Sequence, residues 1–298
     1  MEKTFAVRGV AVLGGDRRQV MVAEALLGSA AWVKTLGLTN LPPLPRLSPA
    51  SGLKEALTGA EVVILPISGA DDRGLVRCSD PAVQIKVDAG FFGLIERKAL
   101  LVTGKLPFFL KQMAIERGIR VCEYAEHDAI AIPNAVPTAE GAIQLMMEET
   151  PFTVDSSSCL VLGFGRVARA LVSRLLALGA NVTVAARNPE QLADAGGMGC
   201  APLPLSELAG EIGQAEVVFN TIPALVLPDA LLQKMAPDTL IIDLASAPGG
   251  VDFEAVDRYG IRAILALGLP GKVAPLTAGR ILATKLPGLI KQELSRQL

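Results

Sequence analysis

Short runs of apolar residues alternate with longer striped segments along the whole chain, the rhythm of parallel strands joined by crossover helices. A strand is expected at Val7–Leu13, a helix from Asp16 to Leu27, and strands at Ala31–Leu36 and Glu61–Leu65. LPPLPRLSP, from Leu41, reads as an irregular link. Ala99–Gly104 is a strand and turn, Pro107–Arg117 a helix and Ile119–Tyr124 a strand. Pro137 should hold the chain extended, so that Thr138 caps a helix running to Glu149. PFTVDSSS, from Pro151, marks a boundary by composition. Beyond it come a strand entering Gly163, a striped helix Arg166–Leu178, and strands at Asn181–Ala185, Glu216–Asn220, Thr239–Leu244 and Ile261–Leu265. The tail from Thr277 is helical in pattern. The fold class is α/β: two Rossmann-like three-layer domains with parallel sheets, a cleft between them, and a C-terminal helix returning toward the first. Residues 1–150 are the expected substrate and partner domain, and 151–298 the expected NADP-binding domain.

Composition agrees: 51% of residues are hydrophobic, as suits sheets buried on both faces. The formal net charge of -2 offers no basic face for a nucleic acid. No long uninterrupted apolar span suggests a membrane helix, and Arg8, Asp16, Arg17 and Arg18 interrupt any secretory pattern. The cysteines, Cys78, Cys122, Cys159 and Cys200, form no CxxC pair and read as free thiols of a reducing, cytoplasmic compartment.

Two glycine turns compete for a nucleotide. In the second, Gly163, Gly165 and Ala168 make GxGxxA between a strand and a helix. The first glycine permits the turn, the second admits a pyrophosphate, and the alanine allows close helix–strand packing. Phe164, Arg166 and Val167 fill the motif, and the helix start favours phosphate. The next strand ends in Arg187 and Asn188 with no carboxylate, which favours a 2′-phosphate and thus NADP over NAD. Asn220, Thr221 and Pro223, Asp243 and Ala245, and Gly268 and Pro270 stand past later strands, where the ribose and nicotinamide would lie. The first turn, Gly14–Arg18, has adjacent glycines and lacks this spacing.

The first domain should therefore hold substrate. Asp16, Arg17 and Arg18 at a helix start, Ser68 in its loop, and Thr138 are the candidate substrate contacts, with Lys105 weaker. His127 is the only histidine and a natural proton carrier; Thr138 and Glu140 complete the candidate catalytic set. Each residue also has an ordinary reading: Asp16 as a helix cap, the arginines as solvated, Glu140 as a first-turn carboxylate. No cluster suggests a metal site.

Seven stretches carry a family resemblance: AVLGGDRRQ (from Ala11), ILPISG (from Ile64), IPNAVPTAEGAI (from Ile132), VLGFGRVAR (from Val161), NTIPA (from Asn220), DLASAPGGVDF (from Asp243) and GLPGKVAPLTAG (from Gly268). Together they resemble, in order and over nearly the whole chain, the A subunits of bacterial dipicolinate synthase, enzymes of sporulation. The resemblance implies NADP-dependent oxidation of dihydrodipicolinate, derived from the lysine-pathway hydroxytetrahydro precursor, to dipicolinate. It also implies a second, flavoprotein-like B subunit of dipicolinate synthase, homo- and hetero-oligomers, and the cytoplasm of the mother cell. Two alternatives stay open: another NADP-dependent keto- or imino-acid oxidoreductase, and a non-catalytic nucleotide-binding subunit.

Overall fold

The computed structural model describes residues 7–296. They form two compact units, residues up to 133 with 274 onward, and residues 134–273. The division falls inside a helix, whereas composition had placed it at residue 150.

In the first unit, β1 (Val7–Leu13) is followed by α1 (Arg17–Leu26), β2 (Ala30–Leu36), β3 (Leu47–Pro49), α2 (Leu53–Leu57) and β4 (Val62–Ile64). A short hairpin, β5 (Leu75–Val76) and β6 (Ile85–Lys86), precedes α3 (Ala89–Leu94), β7 (Leu100–Thr103), α4 (Phe108–Glu116) and β8 (Arg120–Glu123). The six-stranded sheet runs β3-β2-β1-β4-β7-β8, all parallel. Strand β3 lies within the expected irregular link: its Pro49 suits an edge, where a missing N–H breaks no ladder. The C-terminal helix (Pro275–Ser295) lies against α1, burying Leu282, Leu286 and Ile290 with Val22 and Leu26. Gly279 makes this approach possible, because a Cβ there would sit 2.4 Å from the Met21 sulfur.

Helix α5 spans Asp128–Glu149. It starts ten residues before the expected Thr138 cap and carries Pro133 and Pro137 inside it, a correction to the sequence reading. Each proline leaves the carbonyl four residues earlier without a donor. Those belong to Ala129 and Pro133, which are exposed and half-buried, so water can serve them. The buried stripe Ala135, Ala139, Ala142 and Met146 supplies the packing that propensity did not.

The second unit continues with β9 (Ser158–Leu162), α6 (Arg166–Ala177), β10 (Asn181–Ala186), α7 (Pro189–Gly197), β11 (Ala201–Pro204), α8 (Leu208–Glu211) and β12 (Val217–Asn220). Then come α9 (Asp229–Leu232), β13 (Leu240–Asp243), α10 (Phe253–Tyr259), β14 (Arg262–Leu265) and α11 (Leu269–Val273). Its parallel sheet runs β11-β10-β9-β12-β13-β14. Counting only its own strands, each six-stranded sheet has the order 3-2-1-4-5-6 of a doubly wound nucleotide-binding fold. Ligands in such folds bind outside the carboxyl ends of the strands where the order reverses, here β1/β4 and β9/β12.

Candidate functional site

At the β9/β12 reversal the chain turns at Gly163, whose φ is +88°. Its amide donates to the Ala185 carbonyl at 2.8 Å. A Cβ here would lie 2.7 Å from the Thr221 hydroxyl and 2.9 Å from Ile222 Cγ1, so only glycine fits. Thr221 in turn donates to the Leu162 carbonyl at 2.8 Å and fixes the wall. Phe164 is buried beneath the turn, with the Arg169 guanidinium 4.4 Å from its ring centroid. Arg169 also reaches Asp194 at 2.6 Å, tying the turn to α7.

Gly165 differs from Gly163. Its φ is −85°, a Cβ built on it meets nothing within 4 Å, and it is exposed. Neither backbone strain nor crowding inside the protein demands glycine here. It caps α6 without a side chain, so the helix start opens onto unfilled space. A dinucleotide pyrophosphate fits this cradle: it needs close backbone approach and the positive end of a helix. Ala168, fully buried one turn on, provides the close packing below.

Around this cradle the candidate residues divide. Arg187, just past β10, is exposed, and no described residue pairs with it. Asn188 caps α7, its side-chain oxygen accepting from the Glu190 amide at 2.8 Å. Arg166 and Val167 are half-buried in the first turn of α6. Pro223 and Gly268 are exposed on their loops. By contrast, Asn220 and Asp243 are buried and spend their polar atoms internally. Asn220 donates to Asp243 at 2.8 Å and accepts from the Ile222 amide at 3.0 Å. Asp243 accepts from the amides of Ala245 and Gly250 at 3.0 and 3.1 Å. These two residues shape the strand-end loops. Ala245 and Pro270 are buried as well.

The β1/β4 reversal is closed by the protein itself. The Gly14 and Gly15 amides donate to the carbonyls of Leu36 and Arg77, at 2.8 and 2.6 Å. A Cβ on Gly14 would strike Val76 at 2.6 Å, because the hairpin lies on the turn. Asp16 caps α1 through the Arg18 amide and grips the Arg18 guanidinium at 2.8 and 2.7 Å. Burial raises the Asp16 carboxyl pKa, but the Arg18 hydrogen bond, charge and amide outweigh it and hold it below the ordinary value. Arg18 therefore already carries a carboxylate, whereas Arg17 and Ser68 are exposed.

Next to this pair lies a residue the sequence did not single out. Gln19 is 1% exposed and neither polar atom of its carboxamide has a hydrogen-bond partner. Its side chain lies beneath Gly15, whose Cβ would fall 2.3 Å from Gln19 Cγ. In the sequence it was one more polar residue in a first helical turn, and only its burial distinguishes it.

The catalytic candidates divide between the two units. His127 stands just before α5, exposed, its Nδ1 3.4 Å from the Ala129 amide. Thr138 is eleven residues further on, inside α5. Its hydroxyl donates to the Asn134 carbonyl at 2.9 Å, so it does not cap the helix. Glu140 lies past mid-helix, not in a first turn, and faces Arg174 at 3.5 Å. Three of the four cysteines are buried, and burial pushes the thiols of Cys122 and Cys159 up to about 11. Among the described residues, no group of three or more His, Cys, Asp or Glu is placed to hold a metal, and no helix is long and apolar enough to cross a membrane.

Comparisons with known proteins match two stretches of the chain to two family models. Residues 9–125 match the model of the N-terminal domain of the dipicolinate synthase A subunit. Residues 159–247 match the family described as NADP oxidoreductase coenzyme F420-dependent. The dipicolinate synthase A subunit of Bacillus subtilis (strain 168) is 34% identical over 95% of this chain and 96% of its own length. The chain belongs to the dipicolinate synthase A-subunit family. A crystal structure of the A subunit from Bacillus halodurans superposes with a TM-score of 0.89 at 34% identity, covering 96% of this chain and 98% of that one. Sinorhizobium meliloti transhydrogenase shares the fold, with a TM-score of 0.69 at 14% identity over 96% of this chain and 94% of that one. As a family member with an open dinucleotide turn, the chain is an oxidoreductase that uses a nicotinamide nucleotide.

Proposed function

We propose that this chain oxidises dihydrodipicolinate, formed from the hydroxytetrahydro precursor by loss of water, to pyridine-2,6-dicarboxylate during sporulation. NADP is the hydride acceptor. The observation that carries the reading is the cradle over Gly165, which the folded protein leaves open, with unpaired Arg187 at the end of the neighbouring strand. A guanidinium in that place binds a 2′-phosphate through two parallel donors, where a carboxylate would have selected the unphosphorylated ribose. Gly163, Gly165 and the start of α6 hold the pyrophosphate, and the loops shaped by Asn220 and Asp243 carry the ribose side.

The reaction removes one hydride and one proton from the dihydropyridine ring and leaves an aromatic product. Aromaticity supplies much of the driving force, so the protein's main task is to hold the ring in place. The N-terminal unit supplies the groups that face the two carboxylates. Arg17 and Ser68 are exposed donors. His127 is the side chain assigned to the ring proton, while the hydroxyl of Thr138 and the carboxylate of Glu140 serve their own helix and Arg174. The Bacillus subtilis relative's name, which makes it one subunit of a synthase, supports a partner. We take that partner to be a flavoprotein-like B subunit, in the mother-cell cytoplasm.

The test is turnover by the purified chain, with and without its partner. NADPH and pyridine-2,6-dicarboxylate forming in equal amounts from the lysine-pathway precursor is expected. Product formed without NADPH would overturn the reading, and so would NADPH formed only with an open-chain keto or imino acid.

A further inference from the structure

Helix α4 of the first unit turns an apolar stripe outward. Phe108 is 76% exposed, and Phe109 and Ile115 are each 51% exposed. Phe108 and Ile115 are seven residues apart, two helical turns, so they stand in one row about 10 Å long. On the opposite side Leu110 and Ala114 are buried in the core with Val63 and Leu101 and hold the helix to its sheet. Single exposed apolar residues are ordinary, but two phenylalanines and an isoleucine on one short helix form a patch of the kind that marks a contact surface.

Cations stand at both ends of the stripe. Lys105, three residues before Phe108, is exposed, and so is Arg117 at the far end of α4. Lys98 is exposed too, and its amide donates to the Gly118 carbonyl at 3.0 Å, which places it beside Arg117. Among the described residues none of these three cations forms an ion pair, whereas Lys111 on the flank is held by Glu123 at 2.6 Å. The whole chain has a formal net charge of -2, so this gathering is local. A second copy would set the same cations against these. A lipid surface would draw in Gln112, which lies within the row, and Glu116 beside it, where a membrane-lying helix needs an unbroken apolar side. A different protein with carboxylates around an apolar centre satisfies both ends of the stripe and can pair Gln112. The place suits a partner in the reaction as well. The Gly104 amide donates to the Pro66 carbonyl at 3.1 Å and the Ala70 amide to the Lys105 carbonyl at 3.4 Å, so the loop leading into α4 is packed on the loop that carries Ser68.

We infer that the α4 stripe is the docking surface for the partner subunit, a different protein whose contact is apolar at its centre and acidic at its rim. The inference rests on the partner reading above. Titration calorimetry of the full chain with the purified B subunit tests it. The wild type is expected to bind with micromolar affinity or tighter, and more weakly as salt rises. Phe108→Asp should weaken binding by about 100-fold or more, as loss of an aromatic anchor does. Arg117→Gln should have a smaller effect and flatten the salt dependence. Both positions are exposed, so melting temperature and NADP affinity should not move. Hydrogen exchange reads the same surface without a substitution: residues 108–116 should exchange more slowly once the B subunit is added. A wild type that does not bind the B subunit overturns the partner reading, and the inference falls with it. A B subunit that binds wild type and Phe108→Asp equally leaves the partner reading standing and overturns the inference alone. Capture of the wild type, but not of Phe108→Asp, by vesicles of phosphatidylserine and phosphatidylcholine would make the stripe a lipid contact and also overturn it.

Discussion

After β1 the chain closes its own glycine turn, and after β9 it leaves one open. Both turns follow the first strand of a sheet with the same order, and both lead into a helix. At Gly14 and Gly15 the amides go to Leu36 and Arg77, a hairpin lies on the turn, and Asp16 supplies a permanent negative charge at the helix start. At Gly165 there is no side-chain cap and no crowding. A helix start accepts one anion well. At the first, Asp16 already caps the helix and pairs with Arg18, so its amides have no place for a pyrophosphate. The second has no side-chain cap of its own.

The sharpest way to break this comparison is to fill the open cradle. Gly165→Val should leave the melting temperature unchanged, because its Cβ meets no protein atom. NADP affinity should fall by about 100-fold or more, since the backbone can no longer approach the pyrophosphate. Titration of NADP by calorimetry decides it, and unaltered affinity would place the nucleotide elsewhere. The mirror-image substitution is Gly15→Ala. There φ is +96° and the new Cβ collides with Gln19, so stability should drop by about 1–3 kcal/mol. Denaturant unfolding measures that loss, and NADP affinity of the folded protein should be unaffected.

Smaller effects separate the roles within each turn. Arg187→Ala should reduce the preference for NADP over NAD by about tenfold, the size of one lost charge-assisted hydrogen bond. The ratio of kcat/KM with the two cofactors reads it, and an unchanged ratio would remove Arg187 from the site. Asp16→Asn should cost under about 1 kcal/mol, since the pair with Arg18 is half-exposed. Its signature is the pH profile. The Asp16 pKa is lower in the folded protein than in the unfolded chain, so its contribution is present above the ordinary carboxyl value and lost as pH falls through the folded one. The stability gap between wild type and variant should therefore close on acidification; a gap independent of pH would mean that Asp16 acts only as a neutral cap.

The element pattern was largely legible in the chain. The buried parallel strands are short apolar runs, and most helices between them begin at a cap or a proline, as α1 does at Asp16 and α7 at Asn188 and Pro189. Strand β3 was hidden because three residues ending in a proline carry no period. Helix α5 was misread because Pro133 and Pro137 are strong local stop signals that tertiary packing overrode. For the candidate site, Gly163, Gly165, Ala168 and Arg187 stand out in the chain because dinucleotide binding demands particular residues at a fixed local spacing. Asn220 and Asp243 were correctly placed at strand ends, but their side chains turn inward to each other, a pairing set by two strands twenty-three residues apart.

The sequence by itself determined the class of fold, the turn suited to a dinucleotide and the family. These rest on local periodicity and on motifs in which neighbouring residues do the work. Tertiary structure alone decided which glycine turn is already occupied, that Arg18 belongs to Asp16, and that the carboxamide of Gln19 is buried without a partner. It also decided that Thr138 lies inside α5, bonded to its own helix, and that Glu140 faces Arg174. Occupancy and burial depend on what distant segments bring to a place, such as the hairpin that lies on Gly14 and the α6 arginine that faces Glu140, and no local spacing encodes that.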